Sequence, residues 1–131
     1  MLLMMSSPAA SKDLPPMEEW APEEMQAMGQ HMMQLHQELT ESGELIASAG
    51  LAGREAAKIV TSDGVGAPVV TDGPFPEAKE FLAGYWIVDV DRAERAYEIA
   101  ATASAAPGPG GAPLVIPIEV RQVMRAPAAD A

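Results

Sequence analysis

Three side chains in the sequence have the chemistry for acid–base catalysis: the carboxylate of Asp72 and the imidazoles of His31 and His36. A carboxylate and an imidazole can move a proton when one of them lies within about 2.6–3.2 Å of the reacting atom, directly or through one water. His36 lies nearer the centre of the apolar stripe of its predicted helix and is therefore the better candidate to point toward a sheet. The alternative is that both histidines are half-exposed residues at the edge of the core.

The carboxylate stands at the start of a conformationally restricted turn, Asp72-Gly73-Pro74-Phe75. Gly73 can adopt a positive φ, and Pro74 fixes its own φ and disfavours the right-handed helical region for Gly73. A stiff loop that holds a carboxylate beside an aromatic ring could bind a ligand through Gly73, Pro74 and Phe75, since loops on rigid scaffolds often carry function. The alternative is structural: Asp72 caps the turn by accepting backbone N–H groups, and Phe75 fills the core.

Two more aromatic side chains lie in the strongest predicted strand, Phe81–Val90. Alternation places Tyr85 and Trp86 on opposite faces of that strand, and both faces carry bulky residues, which predicts a central position in a sheet. If one face lines a cavity, Tyr85 or Trp86 borders a pocket and contributes to ligand binding. The alternative is that both rings belong to the core.

The histidines belong to a long amphipathic helix predicted from Pro22 to about Ser42, with Gly43 ending it as a C-cap residue. The apolar stripe of this helix consists of Met25, Met28, Met32, Leu35 and Leu39. Methionine is common in cores but also suits adaptable binding surfaces, so a dimer seam or a pocket is a second use of the stripe. His31 and His36 are about 140° apart around the helix and neither has a ligand at the i+4 position, so no metal site is predicted.

In chain order, the sequence predicts strand, helix, strand, two hairpin arms, strand, helix and strand. The remaining elements are expected at Met1–Met5, Leu45–Leu51, Lys58–Ser62, Val69–Thr71, Asp91–Ala105 with Asp91 and Glu94 as a capping box, and Leu114–Met124. Proline-rich loops are expected at Ser6–Pro16 and Ala106–Pro113, and Pro117 favours an edge position for the last strand. The order is a split βαβ repeat with an inserted β-hairpin, which predicts an α+β, ferredoxin-like fold: an antiparallel sheet with helices on one face.

Composition limits both the architecture and the partners. A chain of 131 residues with 48% hydrophobic content suits one domain, expected over residues 1–125, followed by a flexible tail at 126–131. The net charge of −11 and the scattered basic residues argue against nucleic-acid binding. The absence of cysteine excludes disulfides and a thiol nucleophile, and the apolar run Met1–Met5 is too short to span a bilayer, so a cytoplasmic protein is expected.

The turn and the strand that follows it resemble a known family. Thr71-Asp72-Gly73-Pro74-Phe75, then Glu77, Lys79 and Glu80, then the run Gly84-Tyr85-Trp86-Ile87-Val88-Asp89-Val90, is similar to the DGPF signature of YCII-related proteins. The resemblance implies a ferredoxin-like fold that is usually paired into a dimeric α+β barrel, without a settled biochemical role for most members. For some related barrel dimers, including a dehydrochlorinase-like member, it implies a His and Asp pair.

Two functions of different classes follow. The first is a non-catalytic dimeric module, small-molecule-binding or regulatory, with a cleft near Asp72, Phe75 and Tyr85 and without a cofactor. The second is a cofactor-free enzyme, of the lyase, isomerase or dehydrochlorinase type, in which Asp72 and a histidine transfer protons on a small organic substrate. A homodimer is expected in either case, because helices on one face leave the opposite apolar face of the sheet to be covered.

Overall fold

The computed structural model describes residues 1–8, 19–53, 56–73 and 82–124 of the chain. The described elements are strands β1 (Leu2–Pro8), β2 (Leu45–Gly50), β3 (Lys58–Thr61), β4 (Val69–Asp72), β5 (Leu82–Asp89) and β6 (Glu119–Gln122), helices α1 (Pro22–Ser42) and α2 (Ala93–Ser104), and a short 3-10 turn at Pro109–Gly111. Pro74, Phe75, most of the predicted first loop and the tail at 126–131 lie outside the described residues.

Four strands form one antiparallel sheet in the order β2-β5-β1-β6. The apolar strands β1 and β5 are central, as the sequence predicted for β5, and β6 lies at an edge, as Pro117 favoured. The fold is α+β, and this strand order with two helices is compatible with a ferredoxin-like architecture. Strands β3 and β4 pair with each other as a separate two-stranded antiparallel sheet, in which Val60 lies opposite Val70.

Helix α1 begins and ends where its sequence signals predict. Pro22 occupies the first turn, and the Glu24 carboxylate accepts the N–H of Ala21 at 2.9 Å. At the other end Gly43 takes φ 79°, a left-handed conformation that favours glycine, and the helix stops there. Of the apolar stripe, Leu35 and Leu39 are the fully buried members.

Both helices pack on the same face of the four-stranded sheet, and the core lies between them and that face. Its buried residues are Leu3, Met5, Leu35, Leu39, Val88, Val90, Ala96, Ile99, Ala100 and Ala103. The alanines of α2 allow this helix to approach the sheet closely. None of the helices in the described residues has both the length and the apolar character needed to cross a bilayer.

Three predicted boundaries were wrong. Strand β1 continues to Pro8, although a loop was expected from Ser6, because β5 is long enough to pair with it that far. The last strand is confined to Glu119–Gln122. The residues just before this strand hydrogen-bond to the C-terminal end of α2 instead. The N–H groups of Leu114 and Ile116 donate to the carbonyl oxygens of Ala106 and Ser104, respectively.

The start of α2 also differs from the expectation that Asp91 forms a capping box with Glu94. The N-cap residue is Arg92, and its side chain makes no capping hydrogen bond. The helix begins one residue later than that pattern requires, so the Asp91 carboxylate is out of position for the cap. The first turn of α2 is held to the rest of the fold by Arg95, which donates to Glu44 at the start of β2.

Strand β2 contains one extra residue. Leu45 lies opposite Val88 and Ala47 lies opposite Ile87, so Ile46 has no partner on β5 and forms a bulge. Beyond the bulge, Ser48 lies opposite Trp86 and Gly50 opposite Gly84. The bulge therefore sets which residues of β2 face the helices.

Candidate functional site

A surface pocket of about 400 Å³ opens between α1 and the strands β2 and β5. It is lined by Met32, Met33, His36, Ser48, Ala49, Gly50, Gly84, Tyr85 and Trp86. A cavity of this size, mostly apolar and with few polar groups, is typical of small-molecule sites.

His36 contributes the imidazole of the pocket. It lies on the part of α1 that faces β2, and its Nδ1 is 3.3 Å from the Ser48 hydroxyl oxygen. This hydrogen bond orients the ring across the gap between helix and sheet. Within the described residues, the other ring nitrogen, Nε2, has no protein partner and is available to a ligand.

The two aromatic residues proposed for ligand binding, Tyr85 and Trp86, both line the same pocket. Trp86 also packs against the core and is half-buried, so its ring forms part of both. The pocket and core roles proposed for this ring are therefore not exclusive. Tyr85 is also half-buried, and as the strand neighbour of Trp86 it lies on the opposite face of β5, so Trp86 is the aromatic residue whose ring faces α1.

Asp72 and Gly73 lie elsewhere, at the end of the two-stranded sheet. The Asp72 carboxylate forms an ion pair with Lys58 Nζ at 2.5 Å, across the β3–β4 ladder, and 89% of its side chain is exposed. The N–H of Gly73 donates to the carbonyl of Ala57. In the described part of the chain, Asp72 forms no hydrogen bond or ion pair with a histidine.

His31 faces α2 rather than the pocket. Its Nε2 lies 2.8 Å from the carbonyl oxygen of Thr102, and because a carbonyl can only accept, Nε2 carries the proton. The hydrogen bond joins the middle of α1 to the last turn of α2. The structure thus separates the two histidines, with His36 in the pocket and His31 in the contact between the helices.

Five pocket residues were not proposed for the site from the sequence: Met33, Ser48, Ala49, Gly50 and Gly84. The sequence signal for Gly50 was its position in a strand, where glycine permits close backbone approach. Ser48 carried no signal, because its contact with His36 depends on the bulge at Ile46. Met33 lies beside the predicted helical stripe and is 70% exposed at the mouth of the pocket.

The carboxylates whose pKa values are lowered lie outside the pocket. The Arg95 guanidinium lowers the pKa of Glu44, and the N–H groups of Gly66 and Val65 lower the pKa of Asp63 in the loop between β3 and β4. The N–H groups of Ala21 and Gly110 lower the pKa of Glu24. Each of these lowered pKa values is explained by a hydrogen-bond donor elsewhere in the fold, without any contribution from a ligand site.

The pocket lining contains no lysine, arginine, aspartate or glutamate. Across the described ranges, no three histidine or carboxylate side chains come together as a possible metal site. The site is therefore an uncharged, largely apolar pocket with an imidazole and a serine hydroxyl.

Comparison with known proteins agrees with the sequence motif and the architecture. A family model described as the YCII-related domain matches residues 1–112, which include α1, β2, β5 and therefore the whole pocket. No curated protein matches the chain. Because the family model covers most of the sequence, the chain belongs to the YCII-related domain family.

Proposed function

We propose that this YCII-related chain is a small-molecule-binding module and that its ligand occupies the pocket between α1, β2 and β5. The observation that carries the proposal is the convergence of His36, Ser48 and Trp86 on one cavity of about 400 Å³. A cavity of this size matches the sites of small organic ligands, and the rings provide apolar contact area. The imidazole and the Ser48 hydroxyl supply the polar contacts that orient a ligand.

The proposal is tested by NMR on protein carrying ¹³C-methyl methionine. Met32 and Met33 line the pocket, and Met25, near the start of α1, does not. We expect some members of a panel of one- and two-ring aromatics, cyclic alcohols and short fatty acids to shift the Met32 and Met33 methyl signals and leave Met25 unchanged. Met32→Leu and Met33→Leu assign the two signals.

If no compound moves either pocket methyl at millimolar concentration, or if the shifts are uniform over all methionines, the binding proposal fails. Gly50→Leu is the blocking variant, because a side chain at this position extends into open space rather than into neighbouring atoms. Shifts that persist in this variant would place the binding site elsewhere.

A second candidate is a cofactor-free enzyme in which His36 transfers a proton. The observation that favours it is the position of the imidazole at the pocket, with Nε2 available. The Asp72 partner, expected from the resemblance to proteins with a His and Asp pair, forms an ion pair with Lys58 within this chain. Its participation then requires that Asp72 reach the pocket by another route, such as a second copy of the chain.

The enzyme candidate is tested by solvent deuterium exchange into the carbon acids of small lactones and keto acids. We expect His36→Leu to abolish exchange. Asp72→Asn should abolish exchange only if the Asp72 carboxylate reaches the His36 imidazole in the pocket. Exchange that survives His36→Leu would remove the enzyme candidate. Exchange that survives Asp72→Asn alone would remove Asp72 from the mechanism while retaining His36.

We also propose that the protein is a homodimer in which a second copy covers the sheet face opposite the helices. This outer face carries Leu2, Met4, Ala47, Tyr85 and Ile87. A large apolar sheet face is rarely left open in a monomer. In sedimentation velocity at micromolar concentration we expect a dimer, which Met4→Glu converts to monomer. Met25→Glu, at a 43% exposed position near the start of α1, should leave the dimer intact. A monomeric wild-type protein under these conditions would refute the proposed homodimer.

A further inference from the structure

The floor of the pocket contains a strip of bare backbone. Gly50 on β2 lies directly opposite Gly84 on β5. A Cβ placed on Gly50 meets nothing within 4 Å, whereas one on Gly84 would lie 3.0 Å from the carbonyl oxygen of Ala49. Because neither residue has a side chain, this part of the sheet offers a flat surface of peptide groups.

The opposite wall consists of the flexible side chains of Met32 and Met33, and the Trp86 ring stands at the end of the strip. Thioether sulfur makes favourable contacts with aromatic rings, and methionine adapts to the outline of what it covers. A flat floor facing a deformable thioether wall favours a thin, rigid ligand over a bulky saturated one.

The polar groups determine the rest of the ligand chemistry. Ser48 engages His36 Nδ1 at 3.3 Å, which leaves Nε2 as the ring nitrogen that can meet a hydroxyl. No charged side chain lines the pocket, and the protein carries a net charge of −11. A phosphorylated or otherwise strongly anionic ligand would have no counter-ion in this pocket and would approach against the overall field.

From these three features we infer that the ligand is a planar, uncharged aromatic molecule of one or two rings that carries a hydroxyl group. The ring lies between the glycine strip and the two methionines, and the hydroxyl hydrogen-bonds to His36 Nε2. This inference rests on the proposed small-molecule function and specifies the class of ligand for that same pocket.

The test measures the binding of four probes that share a fused two-ring carbon skeleton to the wild-type protein: 2-naphthol, naphthalene, decahydro-2-naphthol and 2-naphthalenesulfonate. Dissociation constants come from the Met32 and Met33 methyl shifts. Because naphthalene lacks the hydroxyl, we expect it to bind about tenfold more weakly than 2-naphthol, the value of one net hydrogen bond. The saturated alcohol and the sulfonate should each bind more weakly than 2-naphthol by a similar factor.

Two variants connect these affinities to the inferred contacts. Gly50→Val fills the space above the strip, and we expect 2-naphthol binding to be lost; Gly50→Ala, a smaller change, should weaken it less. The φ of Gly50 lies outside the left-handed region, so both variants should keep the wild-type fold, which thermal unfolding verifies. His36→Leu should remove the preference for 2-naphthol over naphthalene while both still bind.

The outcomes separate this inference from the proposed function. If decahydro-2-naphthol or the sulfonate binds as tightly as 2-naphthol and shifts the same methyls, the ligand class is wrong and the binding function stands. If His36→Leu leaves the preference for 2-naphthol intact, the assigned hydrogen bond is wrong. If neither these probes nor the wider panel moves the Met32 and Met33 methyls, both the inference and the binding function fail.

Discussion

Replacing Glu44 by glutamine tests how strongly one ion pair holds α2 to the start of β2. Arg95 donates through Nε and Nη2 to the two carboxylate oxygens of Glu44, both at 2.9 Å, and only 19% of the Glu44 side chain is exposed. A bidentate pair is stronger than a single contact, but the Arg95 side chain is 39% exposed and solvent screens it. We expect Glu44→Gln to lower the free energy of unfolding by about 1–2 kcal/mol at pH 7.

The pH dependence of this effect has a definite sign. Arg95 lowers the pKa of Glu44 in the folded protein. The stabilisation is therefore fully present above the unfolded carboxyl pKa of about 4.3 and is lost as the pH falls through the lower folded value. Because the variant lacks the titrating carboxyl, the difference in stability between it and the wild type should shrink in acid.

Urea denaturation at pH 7 and pH 3 measures both quantities. Glu98→Gln is the matched control, because Glu98 accepts from the same guanidinium at 3.2 Å but 57% of its side chain is exposed. The control should cost less than about 0.5 kcal/mol, as exposed pairs do. The reasoning is refuted if Glu44→Gln costs no more than the control, or if its cost at pH 3 equals that at pH 7.

Three further stability predictions use the same denaturation assay. Gly43→Ala should lower the free energy of unfolding by about 1 kcal/mol, because φ is 79° at this C-cap position. The same change at Gly29, inside α1, should raise the free energy of unfolding by up to about 1 kcal/mol. Equal effects at the two positions would contradict the role of Gly43 as a left-handed C-cap. Val115→Gly should raise the free energy of unfolding by about 0.5 kcal/mol, because Val115 is an exposed β-branched residue with a φ of 53°. A lower free energy of unfolding in the variant would show that this conformation is unstrained. Leu39→Ala should cost about 2–5 kcal/mol because the side chain is fully buried, and a cost below 1 kcal/mol would contradict its place in the core.

Helix α1 shows what could be predicted from the sequence. Pro22 and Gly43 have local effects on backbone conformation, so they determine its ends whatever surrounds them, and the stripe containing Leu35 and Leu39 identified its buried side. The central positions of β1 and β5 were predictable for a related reason, because long apolar strands are stable only when neighbours cover them. The same stripe pointed His36 toward the sheet, where it contacts Ser48.

The pocket itself could not be predicted, because it depends on contacts between distant parts of the chain. Regular alternation from Leu45 would place Ala47 on the helix side of β2 and Ser48 on the other side. The bulge at Ile46 reverses this assignment, and nothing local in the sequence signals a bulge there. The last strand was predicted to be too long for a similar reason. The backbone of residues 114–116 forms its hydrogen bonds with residues at the end of α2, which no local sequence pattern indicates.

The bulge at Ile46 also bears on how relatives of this chain should be compared. Leu45 packs against the core just after α1 ends, and Ser48 faces the pocket, so the extra residue between them is absorbed without moving either one. A relative lacking that residue would form an uninterrupted ladder and present the same side chains to its own cavity. Lineages can therefore gain or lose one residue here without rebuilding the site. An ungapped alignment through this strand would match Ser48 with a residue on the wrong face.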